Sequence, residues 1–185
     1  WLSNKSLRLE QEERTEKAKK TVLQRELDWI PTLDENFDGS LLEEWRAAEF
    51  CRSLFGFTLN ELINKFGQDL KNKQWLIEPL SNIIISLCVI DTGFKRYKNI
   101  KDEEHKRNTV EVLRLSTADH YYRIIKNAQE IIAYLDNVNG DSNLFDSFNK
   151  WNGKLNYHPD IIGYKESVVK TLYKYEKYYL DKIED

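Results

Sequence analysis

Three histidines, two cysteines and a few carboxylates are the side chains of this chain that could hold a metal ion or attack a substrate. Asp102 and His105 lie three residues apart in a predicted helix, which is the spacing of half a carboxylate-bridged di-iron site. A complete site needs a second Glu-x-x-His pair and two inward glutamates. The sequence has no such second pair, and His120 and His158 have no second ligand at a suitable spacing. We therefore expect no metal site.

Nucleophilic and phosphate-binding chemistry also lack their usual patterns. Cys51 and Cys88 occur in apolar helical contexts, where a buried reduced thiol is more common than a disulfide or a reactive cysteine. There is no Gly-x-Ser-x-Gly turn and no glycine-rich phosphate loop. Asp91 could be a buried general base, although a residue in this position more often faces solvent or pairs with a neighbour such as Lys95. We expect no catalytic residue and no cofactor site, so this chain alone is predicted not to be an enzyme.

Composition narrows the class of protein. The chain has 185 residues, of which 41% are hydrophobic and 32% charged, with a net charge of -3. This profile is typical of a soluble helical protein, and it provides no overall field that would attract nucleic acid. Seven glycines and three prolines are too few for the many turns of an all-β chain. The chain has no Met and begins with Trp1, so we expect that a longer precursor preceded it.

The most apolar stretch runs over residues 72–97 and predicts a helix. One set of residues recurs at the spacing of a single helix face: Leu76, Leu80, Ile83, Leu87, Ile90 and Phe94. A second apolar set fills much of the remaining circumference: Ile77, Ile84, Ile85, Cys88 and Val89. We expect this helix to be buried on most sides at the centre of a bundle, so that Ile84→Asp would unfold the domain. Its polar residues predict that it does not span a membrane.

The remaining pattern also predicts helices and contains no convincing strand. A charged helix over residues 3–30 is expected to end at Pro31 and to be followed by a linker. A capping box at Ser40 and Glu43 predicts the start of the next helix, and Phe66-Gly67 its end. Further helices are predicted over residues 102–136, 144–151 and 159–183. The expected fold is an all-α, mostly antiparallel helical bundle over residues 40–185, with a charged helical arm and linker over residues 1–39.

Two segments are candidates for contacts with other proteins. The last predicted helix carries five tyrosines among five lysines: Tyr164, Tyr173, Tyr175, Tyr178 and Tyr179. Acidic residues neutralise these lysines almost one for one, so core and interface packing is favoured over nucleic-acid stacking. The N-terminal arm is either a solvated helix docked by its C-terminal end or a partner-binding arm. We therefore expect other protein subunits to dock through the arm and the Tyr-rich last helix.

The central stretch also resembles a known family. The segment from Asn64 to Gln74, then Leu80 to Leu87 and the pair Lys95-Arg96, is similar to the C-terminal helical domain of acyl-CoA dehydrogenases. Five residues carry the likeness: Phe66, Gly67, Gln74, Asn82 and Arg96. The resemblance continues through Ser116–Asp119 and Phe148–Trp151 and covers about residues 40–180. Pro79 and Asp91 depart from the pattern expected of an active member.

The resemblance implies a fold, and it leaves two functions open. It points to the very-long-chain branch, to its mitochondrial paralogue that helps to assemble respiratory complex I, and to similar bacterial enzymes. In that family the flavin pocket and the catalytic glutamate lie in an upstream half, which no segment of this chain resembles. The resemblance thus implies a non-catalytic scaffold domain in a mitochondrial assembly, associated with other subunits or peripherally with a membrane. Alternatively, the chain is part of an FAD-dependent acyl-CoA dehydrogenase of fatty-acid β-oxidation, or of a bacterial cytoplasmic enzyme. An unrelated helical interaction module is the third alternative.

Overall fold

A computed structural model describes residues 39–140 and 143–175, apart from the side chains of Asn139 and Tyr175. These residues form five α-helices and contain no strand: α1 (Leu42–Phe66), α2 (Gln74–Asn99), α3 (Glu103–Asn139), α4 (Leu144–Leu155) and α5 (Ile161–Tyr175). Short 3₁₀ turns cover Gly39–Leu41 and Gly67–Asn72. The predicted all-α fold is confirmed. The predicted helix over residues 3–30 and nearly all of the linker lie outside the described residues.

The sequence pattern predicted the C-terminal end of α1 correctly but not its N-terminal end. Gly67 adopts a positive φ of 51° directly after Phe66, and its N–H bonds to the carbonyl of Ile63, so the predicted glycine terminus is confirmed. At the other end, Ser40 belongs to the 3₁₀ turn and the helix begins at Leu42. The Ser40 carbonyl accepts a hydrogen bond from Arg114 Nη2 at 2.6 Å. Helix α1 therefore begins later than a cap at Ser40 predicts, and its N-cap residue, Leu41, makes no side-chain cap bond. The reciprocal bonding of Ser40 and Glu43 stays a prediction.

The centre of the bundle is α3, and not α2 as the sequence pattern predicted. With 37 residues, α3 is the longest described helix, and it packs against each of the other four. Several of its residues that recur at the spacing of one helix face are fully buried, among them Thr117, Ile124, Ala128 and Ile131. By contrast, α2 packs on α3 and α1 and leaves one side to solvent. The most apolar stretch of the sequence, which forms α2, is therefore not the central helix of the bundle.

Three of the helices run alternately up and down. Trp45 of α1 makes an edge-to-face contact with Phe94 of α2 at 5.4 Å, and Arg52 pairs with Asp91, so these two helices are antiparallel. From α2 to α3, Asn82 meets Asn127, whereas Gly93 lies against Leu113. A Cβ at Gly93 would come within 2.9 Å of Leu113 Cδ1, so glycine permits this close packing. These contacts confirm the predicted antiparallel arrangement for α1, α2 and α3.

Candidate interaction surface

The Asp102–His105 spacing has a structural explanation. Asp102 is the N-cap of α3, and its carboxylate accepts the backbone N–H of His105 at 2.6 Å. Aspartate at this position satisfies a helix N–H that has no partner within the helix. No group of three or more His, Cys, Asp or Glu side chains is placed to hold a metal ion in residues 39–140 and 143–175. The half-motif noted in the sequence is thus a helix cap.

The two cysteines differ in environment. Cys51 is completely buried in α1, and burial raises the pKa of its thiol. Cys88, which was also expected to be buried, is exposed on α2. The prediction for Cys88 is wrong because the side of α2 that carries it is not covered by another described helix.

Asp91 does not form the buried carboxyl that a general base would need. Its side chain is 51% exposed and pairs with Arg52 of α1, which also contacts Glu49. The partner suggested by the sequence was Lys95, one turn along the same helix. The structure instead uses Asp91 to join α2 to α1.

A buried carboxyl that sequence reasoning missed lies where α1, α3 and α5 meet. Glu44 is 2% exposed, and its Oε1 lies 3.5 Å from the donating Tyr164 hydroxyl and 3.8 Å from Arg114 Nε. Burial raises the pKa of Glu44, and the backbone hydrogen bond and Arg114 oppose this shift only partly. Arg114 also pairs with Glu111 at 2.7 Å. No local pattern marks Glu44, since its burial depends on residues that are distant in the chain.

The geometry around Glu44 is suited to positioning and not to turnover. A carboxyl that is 2% exposed cannot meet a substrate without opening of the bundle. Its contact with Tyr164 connects α5 to α1, and the Arg114 guanidinium lies 5.9 Å from the centre of the Tyr164 ring. Burial also raises the pKa of the nearby Tyr157 hydroxyl, which is buried without a hydrogen-bond partner. We interpret the cluster as a polar connection that fixes the last helix.

A cleft of about 450 Å³ lies between α2 and α3. Its walls include Trp75, Pro79, Asn82, Lys126, Glu130 and Tyr134. Asn82 Nδ2 donates to Asn127 Oδ1 at 3.4 Å along one edge. The charged groups are of both signs, and the cleft is open to solvent, so it does not select one class of ligand.

The outer face of α2 is the largest departure from the sequence prediction. We define this face by the residues that point away from α1 and α3: Ile77, Ser81, Ile84, Ile85, Cys88, Val89 and Thr92. Ile84, Ile85 and Val89 are 42%, 60% and 38% exposed, whereas Ile83 and Ile90 on the opposite side are almost fully buried. Helix α2 is thus apolar on both its inner and its outer side. The expectation that Ile84 belongs to the core is wrong.

Helix α2 also meets the length and composition of a membrane-crossing helix, which the sequence analysis did not expect. Within the described part of the chain it is the one helix that does so. About two-fifths (39%) of its most apolar stretch is buried inside the bundle. Core helices of soluble proteins meet the same criterion, so we attribute part of this apolar character to packing and the rest to the outer face.

The last helix carries a smaller exposed apolar row. Ile162, Val169 and Tyr173 are 73%, 46% and 82% exposed and recur on one side of α5. Tyr164 turns inward to Glu44, so the tyrosines of this helix do not share one role. The side chain of Tyr175, and Tyr178 and Tyr179, lie outside the described residues. The predicted docking role of the Tyr-rich helix therefore stays a prediction, for which Tyr173 is the exposed candidate.

Comparison with known proteins gives a match in structure and none in sequence. No family model and no curated protein matches the chain. Among solved structures, it is similar to an acyl-CoA dehydrogenase from Bacillus anthracis that was crystallised with FAD, with a TM-score of 0.69 over 89% of this chain. The fold is an acyl-CoA dehydrogenase-like helical bundle. Sequence identity is 18%, and the chain spans 27% of the length of that protein. This acyl-CoA dehydrogenase-like bundle is the fold that the resemblance predicted.

Proposed function

We propose that this chain is a non-catalytic helical interaction domain, which works as a component of a larger protein assembly. The observation that carries the proposal is the outer face of α2, where aliphatic side chains up to 60% exposed form a continuous row. Apolar rows of this kind on a folded domain mark interaction sites. Asp102, Asp91 and Glu44 act in a helix cap, in helix pairing and in the docking of α5, so each of these carboxyls has a structural role.

We place this assembly in the mitochondrion, in the matrix or at the inner membrane, with the bacterial cytoplasm as the alternative. The support is the sequence resemblance to the very-long-chain branch and to its complex I assembly paralogue. Peripheral membrane association belongs to the same proposal, since an exposed aliphatic face would also fit a membrane surface. The predicted docking of other subunits through the N-terminal arm and the last helix stays part of it.

The second candidate is the helical part of an FAD-dependent acyl-CoA dehydrogenase. The observation that favours it is the structural likeness to an FAD-complexed enzyme of which this chain spans only 27%. In that case a separate catalytic half holds the flavin and the chemistry, and the outer face of α2 packs on that half. The two candidates differ in what accompanies the chain in the cell.

Purification of the native protein under mild conditions, followed by intact mass and absorbance spectra, distinguishes them. The scaffold proposal predicts a preparation without flavin absorbance that elutes with other subunits. A yellow preparation with a flavin band at about 450 nm and an acyl-CoA dehydrogenase half on the same polypeptide would overturn it. Ile85→Lys should reduce co-purification of the partners, and Ile63→Lys, at a position 51% exposed on α1, is the matched control.

A further inference from the structure

Helix α5 is the least covered of the described helices. None of its residues 161–174 is buried, whereas each of the other described helices contributes at least one buried side chain to the core. Helix α5 packs on α3, and its Tyr164, Val168 and Leu172 recur on one side and are partly covered. Segments with few buried side chains open at a lower free energy than the core of the same protein. We therefore expect α5 to separate from α3 more easily than α1 or α2 does.

The buried carboxyl of Glu44 lies where α5 begins to cover α1 and α3. The charged and titratable groups around it come from several elements: Arg114 and Glu111 of α3, Tyr164 of α5, Tyr157 of the loop before α5, and Glu43 of its own helix. The Arg114 guanidinium lies 3.8 Å from Glu44 Oε1 and pairs more closely with Glu111, at 2.7 Å. Because this cation is shared, it compensates the Glu44 carboxyl only partly when that carboxyl ionises.

Separation of α5 would change the surroundings of Glu44 in two opposite ways. It removes the Tyr164 hydroxyl, but this donor lies 3.5 Å from the carboxyl, which is longer than a strong O–H···O bond. It also gives water access to the carboxyl, and hydration favours the ionised form. Burial is the largest influence on the pKa of Glu44, and it raises that pKa. The ionised carboxyl therefore gains more from opening of α5 than the neutral carboxyl does.

The loop before α5 is anchored at its start, and α5 is capped by a residue at the end of the loop. Tyr157 is 6% exposed, and its ring makes an edge-to-face contact with Tyr121 of α3 at 5.0 Å. The Asp160 carboxylate accepts the Gly163 N–H at 2.9 Å, so the first turn of α5 is capped from within its own segment. The anchor and the cap leave residues 158–160 as the place where the chain can pivot.

We propose that α5 is a strap that covers the carboxyl of Glu44, pivots at residues 158–160, and opens more readily when that carboxyl is ionised. This inference goes beyond the proposed function and does not depend on the outer face of α2. Below the ordinary pKa of 4.5, the carboxyl is neutral with the strap open or closed, and opening is least favourable. As the pH rises through the higher pKa of the closed state, ionisation favours opening. The inner side of α5 is then exposed more often at neutral pH than in acid.

Hydrogen exchange of the full 185-residue chain, read by peptide mass spectrometry at increasing low concentrations of urea, tests whether α5 opens alone. The amides of α5 should exchange through an opening with a larger equilibrium constant and a weaker urea dependence than those of α3. Leu172→Ala should raise the opening constant of α5 severalfold, because Leu172 lies on the covered side. Val169→Ala, on the exposed side of the same helix, is the matched control and should change it by less than about twofold. A single opening constant and a single urea dependence for α5 and α3 would overturn the strap.

The same measurement at about pH 4 and about pH 7.5 tests the coupling to Glu44, after each rate is divided by the intrinsic exchange rate at that pH. In the wild type, the opening constant of α5 should rise severalfold between the two values. The rise should disappear in Glu44→Gln, whereas Glu130→Gln, which removes an exposed charge from α3, should retain it. A wild-type constant that is equal at both values, or that falls as the pH rises, would overturn the coupling. A rise that persists in Glu44→Gln would also overturn it, because another group, such as His158 at the pivot, would then be responsible.

Discussion

Glu44 shows how a single carboxyl can be structural although its environment resembles that of a catalytic group. Strongly perturbed pKa values mark active sites with some frequency, yet ion-pair networks perturb them as well. Here the carboxyl is sealed in, and its contacts with Tyr164 and Arg114 join three helices. A catalytic acid would need access that a side chain with 2% exposure does not have. The cluster therefore belongs to the stability of the bundle.

Glu44→Gln should make the protein more stable at neutral pH and equally stable in acid. Because burial raises the folded-state pKa of Glu44, the folded state binds the proton more tightly than the unfolded state does. Protonated Glu44 therefore contributes its full share of the folding stability below the ordinary pKa of 4.5. That contribution is lost as the pH rises through the higher folded-state pKa and the buried carboxyl ionises. Glutamine cannot ionise, and it keeps an oxygen that can accept from Tyr164.

Urea unfolding of both proteins at about pH 4 and about pH 7.5 measures the difference. The free energies of unfolding should agree at the lower pH, and the variant should exceed the wild type at the higher one. Glu130→Gln controls for the loss of one negative charge, since Glu130 is exposed on α3 and is not among the groups that shift the pKa of Glu44. A lower stability of Glu44→Gln at neutral pH would show that the ion pair with Arg114 outweighs desolvation.

At the scale of the helix, the sequence pattern predicts where a helix begins and ends more reliably than it predicts which of its side chains other helices bury. The end of α1 just before Gly67 and the helix over residues 102–136 could be predicted, because capping and 3.6-residue periodicity are local properties. The exposure of Ile84 could not be predicted, since an apolar side chain looks the same in the sequence whether a neighbouring helix covers it or not. The burial of Glu44 was missed for the related reason that its partners Arg114 and Tyr164 are distant in sequence.

The two sides of α2 should respond differently to one substitution. Ile83 is completely buried and Ile84 is 42% exposed, although the two are adjacent. Ile83→Asp puts an unpaired carboxylate in the core, at a cost of several kcal/mol against a total stability of about 5–15 kcal/mol. Ile84→Asp should cost about 1 kcal/mol or less, because its side chain can stay in water. The expectation from the sequence alone was that Ile84→Asp unfolds the domain.

Far-ultraviolet circular dichroism and thermal unfolding in dilute solution show whether Ile83→Asp and Ile84→Asp differ in stability as expected. Dilution limits association through the outer face of α2, which would otherwise add to the apparent stability of the folded state. An unfolded Ile84→Asp would show that something covers the outer face of α2 within the monomer. A folded Ile83→Asp would contradict the placement of Ile83 in the core.

At the scale of the molecule, the bundle closes around α3 and leaves apolar rows on the outer sides of α2 and α5. Both helices touch α3 on one side only, so each is amphipathic toward the core and still apolar toward solvent. The chain spans about a quarter of the dehydrogenase that it resembles in fold. Under the proposed interaction role, these apolar rows are where other proteins would bind.

The predicted division of the chain at residues 39 and 40 can be tested by two truncations. Leu41 is completely buried, and the Ser40 carbonyl accepts from Arg114 at 2.6 Å. A chain of residues 40–185 keeps both and should unfold cooperatively, within about 1 kcal/mol of the full chain. A chain of residues 42–185 loses the Leu41 side chain and the Ser40 carbonyl that accepts a hydrogen bond from Arg114. It should be less stable by about 2–5 kcal/mol, the usual cost of removing a buried leucine.

Chemical denaturation of the three chains at one protein concentration measures these differences in the free energy of unfolding. If residues 40–185 alone are as unstable as residues 42–185, the boundary of the folded domain lies earlier in the chain.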